Sequence, residues 1–265
     1  MSSPSAQTWV MPALALWWRE VVRFVRQRSR VVGALATPIV FWVLIGSGFA
    51  HSFRSGDSKG DMNYLEFAYP GTIAMILLFT AIFSTISIIE DRREGFLQAV
   101  VAAPVHHSAI AFGKIMGSTT LAVFQAVLFL LLAPLAGVPL SLVPVIAMIG
   151  VCVIVAIGLS GLGVMIAWPM DSTQGFHAIM NLVLLPMWLL SGSLFPASGA
   201  STWLAWIMAI NPLTYGVAAI RGTLYYGQHG SLASGPSLGL SIAISVLFAL
   251  AMIVAAGFVV RGRRS

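Results

Sequence analysis

Side chains that could take part in chemistry are sparse in this sequence and form no catalytic set. No Ser, His and acidic residue are spaced for nucleophilic catalysis, and no His, Cys or carboxylate cluster has metal-ligand spacing. No phosphate-binding loop of a nucleotide hydrolase is present, because Gly113 and Lys114 are followed by Ile115 and lack the required upstream glycine. The sequence therefore predicts no catalytic residues, no metal site and no cofactor on this chain.

Three polar residues stand inside long apolar stretches. Gln125 lies in one, and His177 and Asn181 lie four residues apart in another, so these two share one face if that stretch is helical. Each side chain could either contact a molecule passing through the protein or satisfy a structural hydrogen bond. All three are candidates for a substrate path.

The most charged stretch of the chain covers residues 90–104. Acidic residues at its start suit the positive end of a helix, and Pro104 is expected to end that helix. Helical spacing then places four apolar side chains on one face: Phe96, Leu97, Val100 and Val101. This pattern predicts a short amphipathic helix, which would lie either in the groove of a partner protein or on a membrane surface.

The composition indicates whether these residues belong to a soluble protein or a membrane protein. Of the 265 residues, 58% are hydrophobic and only 8% are charged, whereas charge is about 25% in soluble domains. We therefore predict one all-α integral membrane domain over residues 1–265. Although the net charge is +6, the basic residues gather at the edges of apolar runs. This arrangement favours membrane lipid over nucleic acid as the partner.

Six apolar runs are long enough to cross a bilayer as helices and contain no Asp, Glu, Lys or Arg. They cover residues 31–50, 67–89, 115–136, 145–168, 175–195 and 238–260. A cytoplasmic loop (90–114) would join the second and third spans, and an external loop (196–237) would precede the last. The single cysteine, Cys152, lies in the fourth run and is expected to serve packing.

A seventh apolar stretch, residues 203–220, is ambiguous because it contains Asn211 and Pro212. Counting it as a full span would move the C-terminal arginines to the outside, against the preference of positive residues for the cytoplasmic side. We therefore predict two short re-entrant or interfacial helices here, with both termini cytoplasmic. Whether the pair dips into the membrane or lies on it stays open.

The segment before the first span alternates bulky apolar and basic residues. Trp17 and Trp18 fall among arginines such as Arg19 and Arg23. Helical spacing gives one apolar and one basic face, which predicts an interfacial helix within the cytoplasmic residues 1–30. A solvated basic helix is the alternative.

The charged stretch resembles the cytoplasmic loop of type-2 ATP-binding-cassette (ABC-2 type) transporter permeases. That family typically carries E-R-E-x-G-T-L-E-x-L, then T-P and a Gly-Lys before the third helix. Phe96 stands where the family usually has Thr, and Gln98 replaces the second acid. The matching residues are Arg93, Glu94, Gly95, Leu97, Pro104, Gly113 and Lys114.

A second stretch resembles the family's N-P-x-x-Y motif before the last helix. It comprises Asn211, Pro212 and Tyr215, with Arg221 downstream. Both motifs occur in the family's order, and the resemblance extends over nearly the whole chain. Within the family, drug-efflux and oligosaccharide-export permeases are the most similar.

The resemblance implies an exporter subunit in a bacterial cytoplasmic membrane. Two ABC ATPase subunits would bind ATP and Mg, and a second permease chain would complete a homodimer. The ATPase-coupling residues would be Arg92, Arg93, Glu94, Gly95, Phe96, Leu97 and Pro104. Asn211, Pro212, Tyr215 and Arg221 would form an external gate, although Tyr215 and Arg221 could equally be interfacial anchors.

The resemblance also implies the class of cargo, and two rival functions stay open. The substrate would be hydrophobic, amphipathic or lipid-linked. The first alternative is an ion-coupled carrier or a channel that works without an ATPase. The second is a membrane assembly protein with no transport role.

Overall fold

The computed structural model describes residues 6–49, 63–138, 140–195, 199–226 and 235–262, and these ranges consist of helices joined by turns, without a strand. The helices are α1 (Ala6–Arg26), α2 (Arg28–Phe49), α3 (Tyr64–Ser84), α4 (Ser87–Arg93), α5 (Phe96–Ala102), α6 (His107–Leu130), α7 (Leu142–Ala167), α8 (Thr173–Leu189), α9 (Thr202–Ile210), α10 (Pro212–Leu224) and α11 (Leu238–Gly262). A short 3-10 helix, Ala133–Ala136, follows α6. The all-α prediction is confirmed.

Within the described ranges, four helices are long and apolar enough to cross a membrane: α3 with α4 (Tyr64–Arg93), α6, α7 and α11. The pair α9 and α10 would make five if counted as one broken span. The apolar part of α2 is shorter, Leu35–Gly48, and α8 has 17 residues. Each of the six predicted spans thus coincides with a helix. By length and apolar composition, however, only four or five of the described helices qualify as membrane spans.

The helix α3 forms the centre of the bundle. Nearly all its side chains are buried, and it packs against α2, α6, α7 and α10. On one side, an aromatic cluster of Trp42, Tyr69 and Phe129 joins α2, α3 and α6, and the Tyr69 hydroxyl donates to the Phe129 carbonyl oxygen at 2.8 Å. Such burial explains why α3 reads as a continuous apolar run rather than an amphipathic one.

The amphipathic helix α1 packs closely on α6 along the Gly113 and Gly117 pair. A Cβ on Gly113 would lie 2.8 Å from the Ala13 carbonyl oxygen, and one on Gly117 would lie 2.7 Å from the Glu20 Cβ. Only glycine permits this approach of the two backbones. The G-x-x-x-G spacing therefore serves contact between α1 and α6 within one chain.

A sharp bend separates α9 from α10, whose axes differ by 83°. The bend falls at Asn211 and Pro212, which confirms the predicted pair of short helices. The helix α10 is largely buried against α7 and α11, whereas α9 exposes Trp203 and Trp206. Residues 196–198 and 227–234 of the predicted external loop lie outside the described residues.

Several helices begin or end beyond the predicted spans. The helix α6 starts at His107 rather than at residue 115, and α3 with α4 reaches Arg93 rather than residue 89. As a result, Asp91 and Lys114 belong to the bundle helices, which the predicted spans had left free of charge. Both side chains are fully enclosed because they pair with each other.

A charged junction at the α5 end of the bundle

The short helix α4 continues α3 after a turn at Thr85 and Ile86 and brings the charged stretch against the bundle. At Gly95 the backbone adopts a positive φ of 79°, which turns the chain sharply before α5 begins. Glycine adopts this left-handed conformation without the steric penalty of a side chain. The arrangement anchors α4 and lets α5 project from it.

A buried ionic cluster lies beside α4. The Lys114 Nζ donates to Glu20 Oε1 and to Asp91 Oδ2, each at 2.5 Å, and to Ser87 Oγ at 3.2 Å. Glu20, Asp91 and Lys114 are exposed by 4%, 0% and 1%. The cluster thus joins α1, α4 and α6.

Two arginines of α1 complete this cluster. Arg19 donates to both Asp91 carboxylate oxygens at 2.8 and 2.7 Å, and Arg23 bridges Asp91 and Glu90 at 3.0 and 2.7 Å. Burial lowers the pKa of Arg19, but its hydrogen bonds to Asp91 and the attraction of that carboxylate outweigh burial, so the pKa lies above its ordinary value. Arg19 and Arg23 therefore form ion pairs with the acidic residues of α4.

On its other side, α4 is fastened to the turn between α7 and α8. Arg92 donates to the Met170 carbonyl oxygen at 2.8 Å, to Asp171 Oδ1 at 3.0 Å and to the Trp168 carbonyl oxygen. Arg93 Nε donates to the Asp171 carbonyl oxygen at 3.1 Å. Acidic residues of α4 thus pair with α1 and α6, and its basic residues hold the α7–α8 turn.

The helix α5 is anchored at its first turn and exposed beyond it. Phe96 lies under the Arg19 guanidinium, whose carbon is 3.8 Å from the ring centre, and Leu97 is buried in the core. Glu94, just before α5, is largely exposed and lies 3.9 Å from Arg23. Four other exposed residues form the outer face of this segment: Gln98, Ala99, Val101 and Pro104.

The four gate candidates lie at the opposite end of the bundle. Asn211 donates to the Met187 and Leu190 carbonyl oxygens at 2.6 and 3.1 Å and accepts from the Leu213 N–H, capping α10, where Pro212 is the first residue. The Tyr215 hydroxyl donates a hydrogen bond to the Ala209 carbonyl oxygen across the bend.

Arg221, the fourth gate candidate, is further along α10. Its guanidinium donates to the Gly192 carbonyl oxygen at 3.1 Å and lies over the Phe67 ring at 4.4 Å. It therefore binds the start of α3 to the turn after α8, and the structure brings it into no direct contact with Asn211 or Tyr215.

The three path candidates do not form one site. Gln125 is buried in α6 and accepts from Thr80 at 2.5 Å. His177 and Asn181 are exposed on α8, where the His177 ring packs on Phe83 with centres 5.1 Å apart. An apolar cavity of about 240 Å³ between α1, α2 and α3 is lined by both Thr80 and Phe83, which connects the two sets indirectly.

Sequence reasoning did not anticipate the roles of Glu20, Asp91 and Asp171. The available signal was weak: Glu20 is the single acidic residue in α1, beside arginines. Its partner, Lys114, lies 94 residues away. Among the described residues, no group of three or more His, Cys, Asp or Glu could hold a metal ion, and the junction is built to hold helices together.

Comparison with known proteins agrees with this architecture. The family described as ABC-2 type transporter matches residues 13–225. The transport permease ycf38 of Cyanophora paradoxa is 24% identical over 223 residues, which cover 83% of this chain and 76% of that protein. Nodulation protein J of Rhizobium leguminosarum bv. viciae is 25% identical over 219 residues, covering 80% and 81%.

A further relative aligns with a shorter part of this chain. The multidrug ABC transporter permease YbhR of Escherichia coli K12 is 26% identical over 160 residues, which cover 58% of this chain and 42% of YbhR. The family match covers most of α1 and all of α2 to α10, including the junction around α4. With its membrane-spanning helices and its match over most of the sequence, this chain belongs to the ABC-2 type transporter family and is a multi-pass membrane subunit of an ABC transporter.

Proposed function

We propose that the chain is the membrane subunit of an ATP-driven exporter that moves a hydrophobic, amphipathic or lipid-linked substrate out of the cytoplasm. Two ABC ATPase subunits would bind ATP and Mg and supply the energy, and two copies of this chain would form the pore. The complex would reside in a bacterial cytoplasmic membrane with both termini of this chain inside.

The observation that carries this proposal is the form of the α5 segment. Its base is fixed to the bundle through Leu97 and the contact of Phe96 with Arg19, while its outer face is exposed. An exposed short helix with apolar side chains suits the groove of a partner protein. Movement of that partner would reach the bundle through α4.

The names of the relatives and an apolar cavity support transport of a hydrophobic cargo. YbhR carries the name of a multidrug ABC transporter permease, and ycf38 that of a transport permease. The cavity between α1, α2 and α3 is lined by apolar side chains such as Phe79 and Phe83. An apolar cavity of this kind suits a hydrophobic cargo better than a charged one.

In this proposal, the residues that couple to the ATPase and the residues that control exit lie at opposite ends of the bundle. Residues 92–97 and Pro104 would couple to the ATPase, and Gln125, His177 and Asn181 would border the substrate path. Asn211, Pro212, Tyr215 and Arg221 would control exit. Asn211 and Arg221 would act by holding the bend of α9 and α10 against neighbouring helices.

Reversing the charge of Glu94 tests the proposed coupling. In Glu94→Lys, the exposed carboxylate is replaced beside Arg23, so an ATPase contact that depends on it would be repelled. We expect the amount of substrate exported per ATP hydrolysed to fall about tenfold, within the usual range of coupling free energies. The measurement is ethidium or fluorescent phospholipid efflux and ATP hydrolysis in proteoliposomes containing the co-purified ATPase.

The control is Arg261→Glu, an equal charge reversal at the exposed end of α11. Both variants should accumulate in the membrane as the unsubstituted chain does. If Glu94→Lys leaves export per ATP unchanged, Glu94 is not a coupling residue.

A further inference from the structure

The buried cluster of Glu20, Asp91 and Lys114 holds together helices that are far apart in sequence. Lys114 reaches one carboxylate on α1 and another on α4 at equal distances of 2.5 Å. Arg19 and Arg23 both pair with Asp91, and Arg23 also pairs with Glu90, so three acidic and three basic side chains balance at this junction. The cluster is therefore electrically complete without any partner molecule.

Separating α1 from α4 or α6 would break this balance. Removing one member of a buried ion pair leaves an uncompensated charge out of water, which is strongly unfavourable. Buried ion pairs contribute little to net stability, but they do fix which groups lie together. The cluster thus acts as a constraint on the position of α1.

The steric fit adds a second constraint, independent of charge. Gly113 and Gly117 bring the α6 backbone against Ala13 and Glu20. Two tryptophans of α1 bond hydroxyl groups of α6 on either side, Trp9 to Ser108 at 3.1 Å and Trp17 to Thr120 at 3.0 Å. Sliding α1 along α6 would break these bonds and force side chains into the backbone.

The same cluster reaches α5. The Arg19 guanidinium bonds Asp91 with its edge and covers the Phe96 ring with its face. A displacement of α5 is therefore passed to α1 through one side chain and to α6 through Asp91 and Lys114.

We propose that α1, α4, α5 and the first turns of α6 move as one rigid unit during the transport cycle, and that Glu20 is the positioning residue that ties α1 into it. In this proposal, which rests on the proposed function, α1 transmits force from the ATPase into the bundle. Arg19 and Arg23 of α1 act on α4 rather than on lipid headgroups.

Distances between spin labels test the rigid unit directly. Labels at Val25 on α1, Ala103 after α5 and Leu247 on α11 occupy exposed positions, and the buried Cys152 stays unlabelled. In the complex with its ATPase, we expect the Val25–Ala103 distance to stay constant when ATP and vanadate are added. Both labels should change their distance from Leu247.

The outcomes separate the two proposals. If the Val25–Ala103 distance changes as much as the distances to Leu247, the rigid unit is wrong although ATP still drives a movement. If ATP changes none of the three distances in a labelled complex that retains Glu20 and Lys114, the proposed function is overturned, and the inference with it.

A mutant cycle tests whether Glu20 and Lys114 act together. We expect Glu20→Gln and Lys114→Gln each to lower ethidium export per ATP about tenfold, with ATP hydrolysis retained. The double variant should be no worse than Lys114→Gln, because residues of one interacting pair do not have additive effects. A merely structural role would lower membrane accumulation and leave export per ATP unchanged.

The matched control is Arg26→Gln, an exposed residue on the same helix. It should leave export per ATP unaltered. If the losses of the two single variants multiply in the double variant, Glu20 and Lys114 act separately and the proposal is overturned. Should Lys114→Gln fail to accumulate in the membrane, the label distances in the chain that retains Lys114 decide.

Discussion

Gly95 shows how one backbone conformation determines what α5 can do. Its φ of 79° redirects the chain immediately after α4, so that Leu97 enters the core while Gln98 and Ala99 face outward. A side chain at this position would meet no obstruction, since a Cβ would lie 3.4 Å from Gln98 Oε1. The requirement for glycine is therefore conformational rather than steric.

Substituting Gly95 by alanine should weaken α5 without unfolding the bundle. The left-handed conformation is about 1–2 kcal/mol less favourable for a residue with a Cβ. We expect a reduced stimulation of ATP hydrolysis by ethidium in the reconstituted complex, and near-normal behaviour of Gly95→Asn, because asparagine tolerates this conformation. Gly150→Ala, in an open position on α7, is the control and should have no such effect.

The junction residues differ in how readily their roles follow from sequence. Arg93, Glu94 and Gly95 form a local motif, but the structure ends α4 at Arg93 and turns the chain at Gly95, where the sequence predicted one helix continuing to Pro104. Glu20 and Lys114 meet only because α1 folds back on α6, and no local periodicity reports such a contact. The helices extend past the predicted spans to Asp91 and Lys114 for this reason, since a paired lysine can be buried where a single one would be excluded.

At the scale of the helices, the bend between α9 and α10 is held by Asn211 more than by Pro212. The Asn211 amide links the end of α8 to the start of α10 through three hydrogen bonds. Pro212 occupies the first position of α10, where its missing N–H breaks no helical bond. The bend thus depends on a side-chain network between helices.

Alanine substitutions at these two positions should differ in effect. Asn211→Ala removes three hydrogen bonds and leaves the Leu190 carbonyl oxygen with only the longer bond from Thr214 at 3.4 Å, which we expect to lower the free energy of unfolding by about 1–3 kcal/mol. Pro212→Ala keeps those bonds and should change it by less than about 1 kcal/mol. Tryptophan fluorescence during denaturation in detergent measures both, and equal losses would contradict the role given to Asn211.

The element boundaries show which part of the fold follows from sequence. Long apolar runs predicted the centres of α3, α6, α7 and α11, because a membrane core demands them. The predicted ends of the helices were less accurate, because α6 starts at His107 and not at residue 115. Helices continue past the apolar run wherever packing satisfies their polar side chains, and that depends on partners elsewhere in the chain.

Across the whole molecule, burial falls steadily from α3 outward. The most apolar window of the helix formed by α3 and α4 is 83% buried, against 39% for α7 and 17% for α11. Exposed apolar faces on the outer helices suit contact with lipid tails or a second copy of the chain. The ion pairs of the junction lie at the α5 end of the bundle, and the hydrogen bonds of Asn211 and Arg221 lie at the opposite end.

The purified chain should be unable to concentrate a solute by itself. In liposomes without an ATPase, we expect no ethidium accumulation against its gradient, even with an imposed proton or sodium gradient. Adding the ATPase and ATP should start transport in the same vesicles. Accumulation by the chain alone would favour the ion-coupled carrier instead.

The pairing of α1 with α6 also bears on biosynthesis. Glu20 leaves the ribosome 94 residues before Lys114, and at roughly 5–20 residues per second this interval lasts several seconds. During that time α1 has no groove to occupy, so its tryptophans must wait at the membrane surface. Insertion of α6 then delivers a lysine that pairs with Asp91 of α4 and gains its second carboxylate, Glu20, only when α1 arrives, so α1 docks after helices that follow it in the sequence.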